Sequence, residues 1–190
     1  MDIFDKLENY SFLGKEILSN GRHLIGRAPH IAPQAWLHKF GAGLNEKEII
    51  ELELEIKIPI PSEFRKFLKL TNGLNIFVSA FCIYGKRNNY IRNIENSWQP
   101  FDIVTPNTFE RPKNAKRSNL FVGTYSWDGS GVYIDVETGK VHYHKRFDAT
   151  SLLEWDNFGE MLSSEIERII ALFDKNGIKI DPNKPTTPVS

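Results

Sequence analysis

The sequence predicts an α+β fold, a central and mostly antiparallel sheet flanked by helices. Apolar residues recur at helical spacing up to about Gly73, and from Leu74 the period changes to that of strands. Between Leu120 and Arg146, two glycine-bearing turns interrupt alternating β-branched and aromatic runs, which is the pattern of an antiparallel meander. A closing stretch from Ser151 returns to helical spacing.

An opening helix is predicted from Asp2 to about Leu18, where Ile3, Leu7, Tyr10 and Ile17 fall near one face and Ser19–Gly21 supplies a stop. Arg22–Gly43 carries Pro29, Pro33 and several glycines, and reads as a loop with one short helical turn around Trp36–Phe40. Asn45 and Glu48 are spaced as a capping pair, and Ile49, Leu52 and Ile56 continue a helix from there. The prolines of Lys57–Pro61 break it, because each biases its predecessor to extended geometry. The next helix starts near Pro61, where a missing N–H costs nothing. Phe64, Phe67 and Leu68 give that helix its apolar stripe, and Gly73 ends it in a left-handed conformation.

Leu74–Gly85 reads as one hydrophobic strand, Lys86–Pro100 as a polar loop and Phe101–Val104 as a short strand. Thr105–Asn119 is a second polar connection. The strands of the meander follow, and Ser151–Gly177 is read as helical on the recurrence of Phe158, Leu162, Ile166, Ile169 and Ile170. Residues 1–178 are expected to form one domain with a helical N-terminal extension and a core over 36–173. The proline-rich residues 179–190 are expected to be a flexible tail.

The composition narrows the function. At 190 residues, 41% apolar and 25% charged, the chain is ordinary globular material. Lys plus Arg and Asp plus Glu number 24 each, and this balance argues against a protein built chiefly to hold nucleic acid or an anionic membrane. Cys82 is the only cysteine, so an internal disulfide is excluded and a reducing compartment fits. The first residues lack a basic start followed by an apolar core, so no signal peptide is expected. The longest apolar run, Ile76–Tyr84, falls far short of the roughly 20 residues a bilayer span needs. A cytoplasmic protein is expected.

The stretch Tyr125–Asp135 tests for chemistry. A phosphate cradle needs its glycines immediately before a helix, and here a strand follows. A calcium loop needs alternating acids, and only Asp128 is present. Asp128-Gly129 therefore reads as the turn of a hairpin, with Val132, Ile134 and Val136 on one face and Tyr133 and Asp135 on the other. Gly139 marks a second turn.

His142 and His144 share a strand face as zinc ligands would, but without acidic or cysteine partners nearby they read as an exposed, unliganded pair. His23, His30 and His38 lack metal spacing, and neither metal nor cofactor is expected. Cys82, between Phe81 and Ile83, reads as a buried apolar residue and not a nucleophile. Arg111, Lys113, Lys116 and Arg117 read as a solvated basic cluster. Glu53 is either a solvated helical charge or a buried carboxylate that receives donors. Tyr90, Trp98 and Trp127, with Asp128 beside the last, are candidate partner contacts. Their alternative is to cover the edge of the sheet.

The order of these signals resembles the SUKH superfamily. The resemblance runs from about Trp36 to Leu162 and is most specific in Pro61, Phe64, Phe67, Leu68, Asn72 and Gly73, with Glu53 matching the family's inward glutamate. It implies helices packed around a central sheet, and since the residues offer no convincing nucleophile–base pair or metal set, no enzyme is expected. It further implies an immunity protein that binds and neutralises a bacterial toxin, often a nuclease. The alternative it offers is an intracellular scaffold or regulator, similar to the yeast regulators of cell-wall synthesis. The chain departs from the family in being neutral where many members are acidic, and in its N-terminal extension.

Overall fold

The computed structural model describes residues 3–88 and 98–189. Helix α1 (Ile3–Glu8) is followed by strands β1 (Lys15–Ile17), β2 (His23–Arg27) and β3 (Trp36–Phe40). Helices α2 (Glu46–Ile56) and α3 (Ser62–Leu70) lead to β4 (Leu74–Ile76) and β5 (Phe81–Ile83). Helix α4 (Val104–Thr108), strands β6 (Asn119–Thr124), β7 (Gly131–Asp135), β8 (Val141–His144) and β9 (Leu153–Trp155), and helix α5 (Phe158–Ile170) complete the order. Among the described residues the nine strands form one antiparallel sheet in chain order.

The capping pair forms as its spacing predicts. The Asn45 side chain accepts the Glu48 N–H at 3.0 Å, and the Glu48 carboxylate accepts the Asn45 N–H at 2.8 Å. Ile49, Leu52 and Ile56 of α2 and Phe64, Phe67 and Leu68 of α3 are buried, and Pro61 is the N-cap of α3. Register aligns Phe40, Leu74, Ile83, Val132 and Tyr143 on one face of the sheet. That row joins Leu7 of α1, Leu52 of α2, Phe64 of α3 and Ile166 of α5 in the core. Phe158 locks α5 to α3, its ring centroid 5.0 Å from Phe64 and 5.3 Å from Phe67.

Several sequence expectations are corrected. Asp2–Leu18 is not one helix: α1 ends at Glu8, and Gly14, at φ +125°, reverses the chain into β1. The Arg22–Gly43 loop is the strand pair β2–β3, and Trp36–Phe40 is extended because it pairs with both β2 and β4. Leu74–Gly85 is a hairpin in which Phe77, Val78 and Ser79 all take positive φ. Asn75 holds this turn, accepting the Ser79 N–H at 2.7 Å and donating to Ser79 Oγ at 2.8 Å. Phe101–Val104 makes one bridge, Gly85 to Asp102, and then turns into α4, whose Thr105 N–H the Asp102 carboxylate accepts.

The helix expected from Ser151 begins only at Phe158, because Leu153–Trp155 adds β9 to the sheet and Asn157 caps the helix. Gly73 has the positive φ expected, 78°, but Thr71 is the residue that caps α3. In the tail, Thr186 and Thr187 are buried, and Arg168 donates to their carbonyls at 2.6 and 3.3 Å, where a loose segment was expected. No described helix is long and apolar enough to cross a membrane.

Candidate functional site

Helices α1, α2, α3 and α5 all contribute to the core on one face of the sheet. On the opposite face, register sets Lys39, Asn75, Cys82, Thr124, Gly131 and His144 in a line from β3 to β8. Helix α4 stands at its margin. There Asn107 accepts the Phe121 N–H at 2.9 Å and donates to the Phe121 carbonyl at 2.8 Å, satisfying backbone where β6 bulges.

The line floors two cavities. The larger, about 560 Å³, reaches Cys82, Thr124, Gly131 and His144, with Phe101, Trp127 and Phe147 among its walls. Those three rings are 47%, 46% and 67% exposed, which leaves about half or more of each available to a partner. The smaller, about 180 Å³, is lined by Lys39, Asn75 and Trp98, and Phe101 borders both.

Gly131 shares this face, and a Cβ on it would lie 2.6 Å from the Gly123 carbonyl oxygen and 2.9 Å from His144 Nε2. Gly123 stands in the core row between Ile83 and Val132, and a Cβ on it would lie 2.6 Å from the Cys82 carbonyl oxygen and 3.0 Å from Val132 Cγ2. Only glycine fits so close to neighbouring backbone.

The sequence candidates divide between this face and the frame behind it. Trp127 and Asp128 form the hairpin tip at the rim of the larger cavity. Asp128 accepts the Ser130 N–H at 2.9 Å, and Lys179 Nζ lies 4.3 Å from the Trp127 ring. Trp98 lies over the smaller cavity, 5.5 Å from Lys39 Nζ, whose pKa burial lowers. Tyr90 falls outside the described residues.

Glu53 braces the turn between α2 and α3: one oxygen accepts the Ile60 N–H at 2.7 Å and the other pairs with the Arg65 guanidinium. Asn72 accepts the Lys86 N–H at 2.7 Å and donates to the Lys86 carbonyl at 2.8 Å, fastening the end of β5. Pro61, Phe64 and Phe67 belong to the frame.

The histidine pair is not exposed. His142 Nδ1 is 2.9 Å from Ser151 Oγ and 3.7 Å from the Glu154 carboxylate. His144 is buried, with Nδ1 2.8 Å from the Lys145 carbonyl and 3.2 Å from that of Asp148. Carbonyls only accept, so Nδ1 carries the proton and Nε2 is left as an acceptor. Burial lowers the pKa of both rings. The stacking of β7–β8 with the Tyr133 ring and the segment around Ala149 covers them, and sequence spacing does not register that cover.

Burial pushes the Cys82 thiol up to about 12 and His38 down to about 3, which removes both from nucleophile or base chemistry at neutral pH. No group of three metal-ligating side chains occurs among the described residues. Arg111 lies 5.3 Å from the Phe121 ring and donates to the Lys116 carbonyl.

A helix-backed antiparallel meander that turns one aromatic-rimmed sheet face outward defines the class of protein. The model of the SMI1 / KNR4 family (SUKH-1) matches residues 43–164, and the chain belongs to that family. No curated protein matches it. The matched region begins between β3 and α2, so β1–β3 lie outside it.

Proposed function

We propose that this chain is a non-catalytic protein-binding domain, an immunity protein that occupies and neutralises a protein toxin through the open face of its sheet. The carrying observation is the grouping of Phe101, Trp127 and Phe147 around one cavity on that face. Large rings of this kind dominate binding energy at protein interfaces. The burial of Cys82, which pushes its thiol up to about 12, supports a role without cysteine chemistry. A standard interface of roughly 1,200–2,000 Å² would cover both cavities. Co-expression with a toxin encoded beside this gene tests the reading: cells survive and the two proteins co-purify. A toxin that stays active and forms no complex with the chain overturns it.

A second reading, an intracellular scaffold or regulator similar to the yeast branch, draws on β1–β3 outside the matched region. Many host partners captured in the absence of any neighbouring toxin gene would favour it.

A further inference from the structure

The larger cavity has a chemical preference that its rim alone does not disclose. We propose that it receives a tyrosine of the partner protein, its ring set among Phe101, Trp127 and Phe147 and its hydroxyl donating to His144 Nε2. The inference rests on the partner-binding reading and names the anchor on the other side.

The walls come first. The rings of Phe101, Trp127 and Phe147 stand around the cavity above its floor, and an aromatic ring is the side chain that packs among them. A cavity of about 560 Å³ admits one ring together with part of the segment that carries it.

The acceptor comes second. His144 is 7% exposed, its Nδ1 is engaged by two carbonyls, and its Nε2 lies beside the missing Cβ of Gly131. Nε2 makes no hydrogen bond among the described residues, and His144 lines the cavity, so this nitrogen is an acceptor open to a donor that enters there.

Charge then selects the donor. Arg146 lies 4.6 Å from the Phe147 ring, Lys179 4.3 Å from Trp127 and Arg111 5.3 Å from Phe121. Three walls thus already carry cations of this chain, and an incoming lysine or arginine meets like charge. The acidic lining residues are Glu110 and Asp128, and Asp128 is engaged by its own turn. A carboxylate or phosphate offers only acceptors to a neutral imidazole. A phenol is neutral, aromatic and a donor, and it meets all three conditions.

The test titrates the ¹⁵N-labelled full chain with N-acetyl-tyrosinamide and with N-acetyl-phenylalaninamide, read by amide shifts. We expect saturable shifts at Gly123, Gly131 and His144 with the tyrosine probe, and binding about tenfold weaker with the phenylalanine probe. His144→Phe should bring the two probes level. Phe147→Ala, at an exposed position, should weaken both alike. Equal binding of the probes by the wild type, or no saturable shift at those residues up to the solubility limit, overturns the inference. A toxin that still binds while the probes fail removes the tyrosine and keeps the partner-binding reading. Selective probe binding by a chain that captures no toxin upholds the pocket and removes that reading.

Discussion

The Tyr125 hydroxyl donates to the Glu165 carboxylate at 2.7 Å, joining the base of the Trp127 hairpin to α5 forty residues further on. Arg168 grips the same carboxylate at 2.6 Å and holds the Thr186 and Thr187 carbonyls with its remaining donors. The Tyr125 ring stacks on Phe81 at 4.7 Å. The rim of the larger cavity is therefore set by a buried network that runs from hairpin to helix to tail.

Tyr125→Phe should lower stability by about 1–2 kcal/mol, the cost of one hydrogen bond to a buried charge that keeps its second partner. Burial, and next the Glu165 carboxylate, raise the Tyr125 pKa well above its usual value, so the phenol remains a donor into alkaline solution. Thermal unfolding measures the effect. An unchanged midpoint would show that the bond contributes nothing.

His38 should make the fold acid-sensitive. The ring is fully buried between Tyr10 and Phe77, neither nitrogen has a hydrogen-bond partner among the described residues, and burial holds the pKa near 3 against 6.5 in the unfolded chain. The folded pKa is depressed, so the unfolded state takes up the proton first. Stability is whole above about pH 6.5 and falls as pH drops toward 3. The loss between pH 7 and 5 should be about 2 kcal/mol from this group. Denaturant titrations of the wild type and His38→Phe at the two pH values decide it: the variant should lose most of the slope.

Gly73→Val should cost about 2–3 kcal/mol, combining positive-φ strain for a β-branched residue with overpacking. Gly73 has φ +78°, and a Cβ there would lie 2.7 Å from Pro100 Cβ and 3.0 Å from the Ile83 carbonyl. Chemical denaturation of the variant gives the number, and a wild-type midpoint would contradict the geometry.

Local signals were legible where they are self-contained. Asn45 with Glu48, Pro61 with its aromatic stripe and the Asp128-Gly129 turn each act within a few residues, and each is where the sequence puts it. The hidden elements are those that depend on distant partners. Trp36–Phe40 is extended because β2 and β4 flank it, and Leu153–Trp155 because β8 does. The reversal at Phe77–Ser79 has no glycine to announce it and is held by Asn75, a polar residue inside an apolar run. Trp127 was legible as a contact candidate, whereas Phe101 and Phe147 were not, because only the fold brings them to the same cavity. The sequence reading leaves His144 exposed because its cover comes from the Phe121 and Tyr133 rings and the Asp148 carbonyl, which only the fold brings to it.

The open face should carry the partner's binding energy unevenly. Phe101 and Phe147 share the cavity with Trp127, while Trp98 stands over the neighbouring one, joined to it by Phe101. Trp127→Ala should weaken toxin binding by about 2 kcal/mol, near thirtyfold, and Trp98→Ala by less, because its ring is more buried than that of Trp127 and already lies over the smaller cavity. Cys82 is buried with its thiol pushed up to about 12, and His142 is engaged by Ser151 and Glu154, so neutralisation should survive His142→Ala and Cys82→Ser, apart from any loss of stability. Calorimetry of each purified variant with the toxin, alongside survival in co-expression, separates the cases. Loss of protection in a well-folded His142→Ala protein would point to chemistry and overturn the binding-only reading. Full affinity in the Trp98→Ala, Trp127→Ala double variant would move the interface off this face altogether.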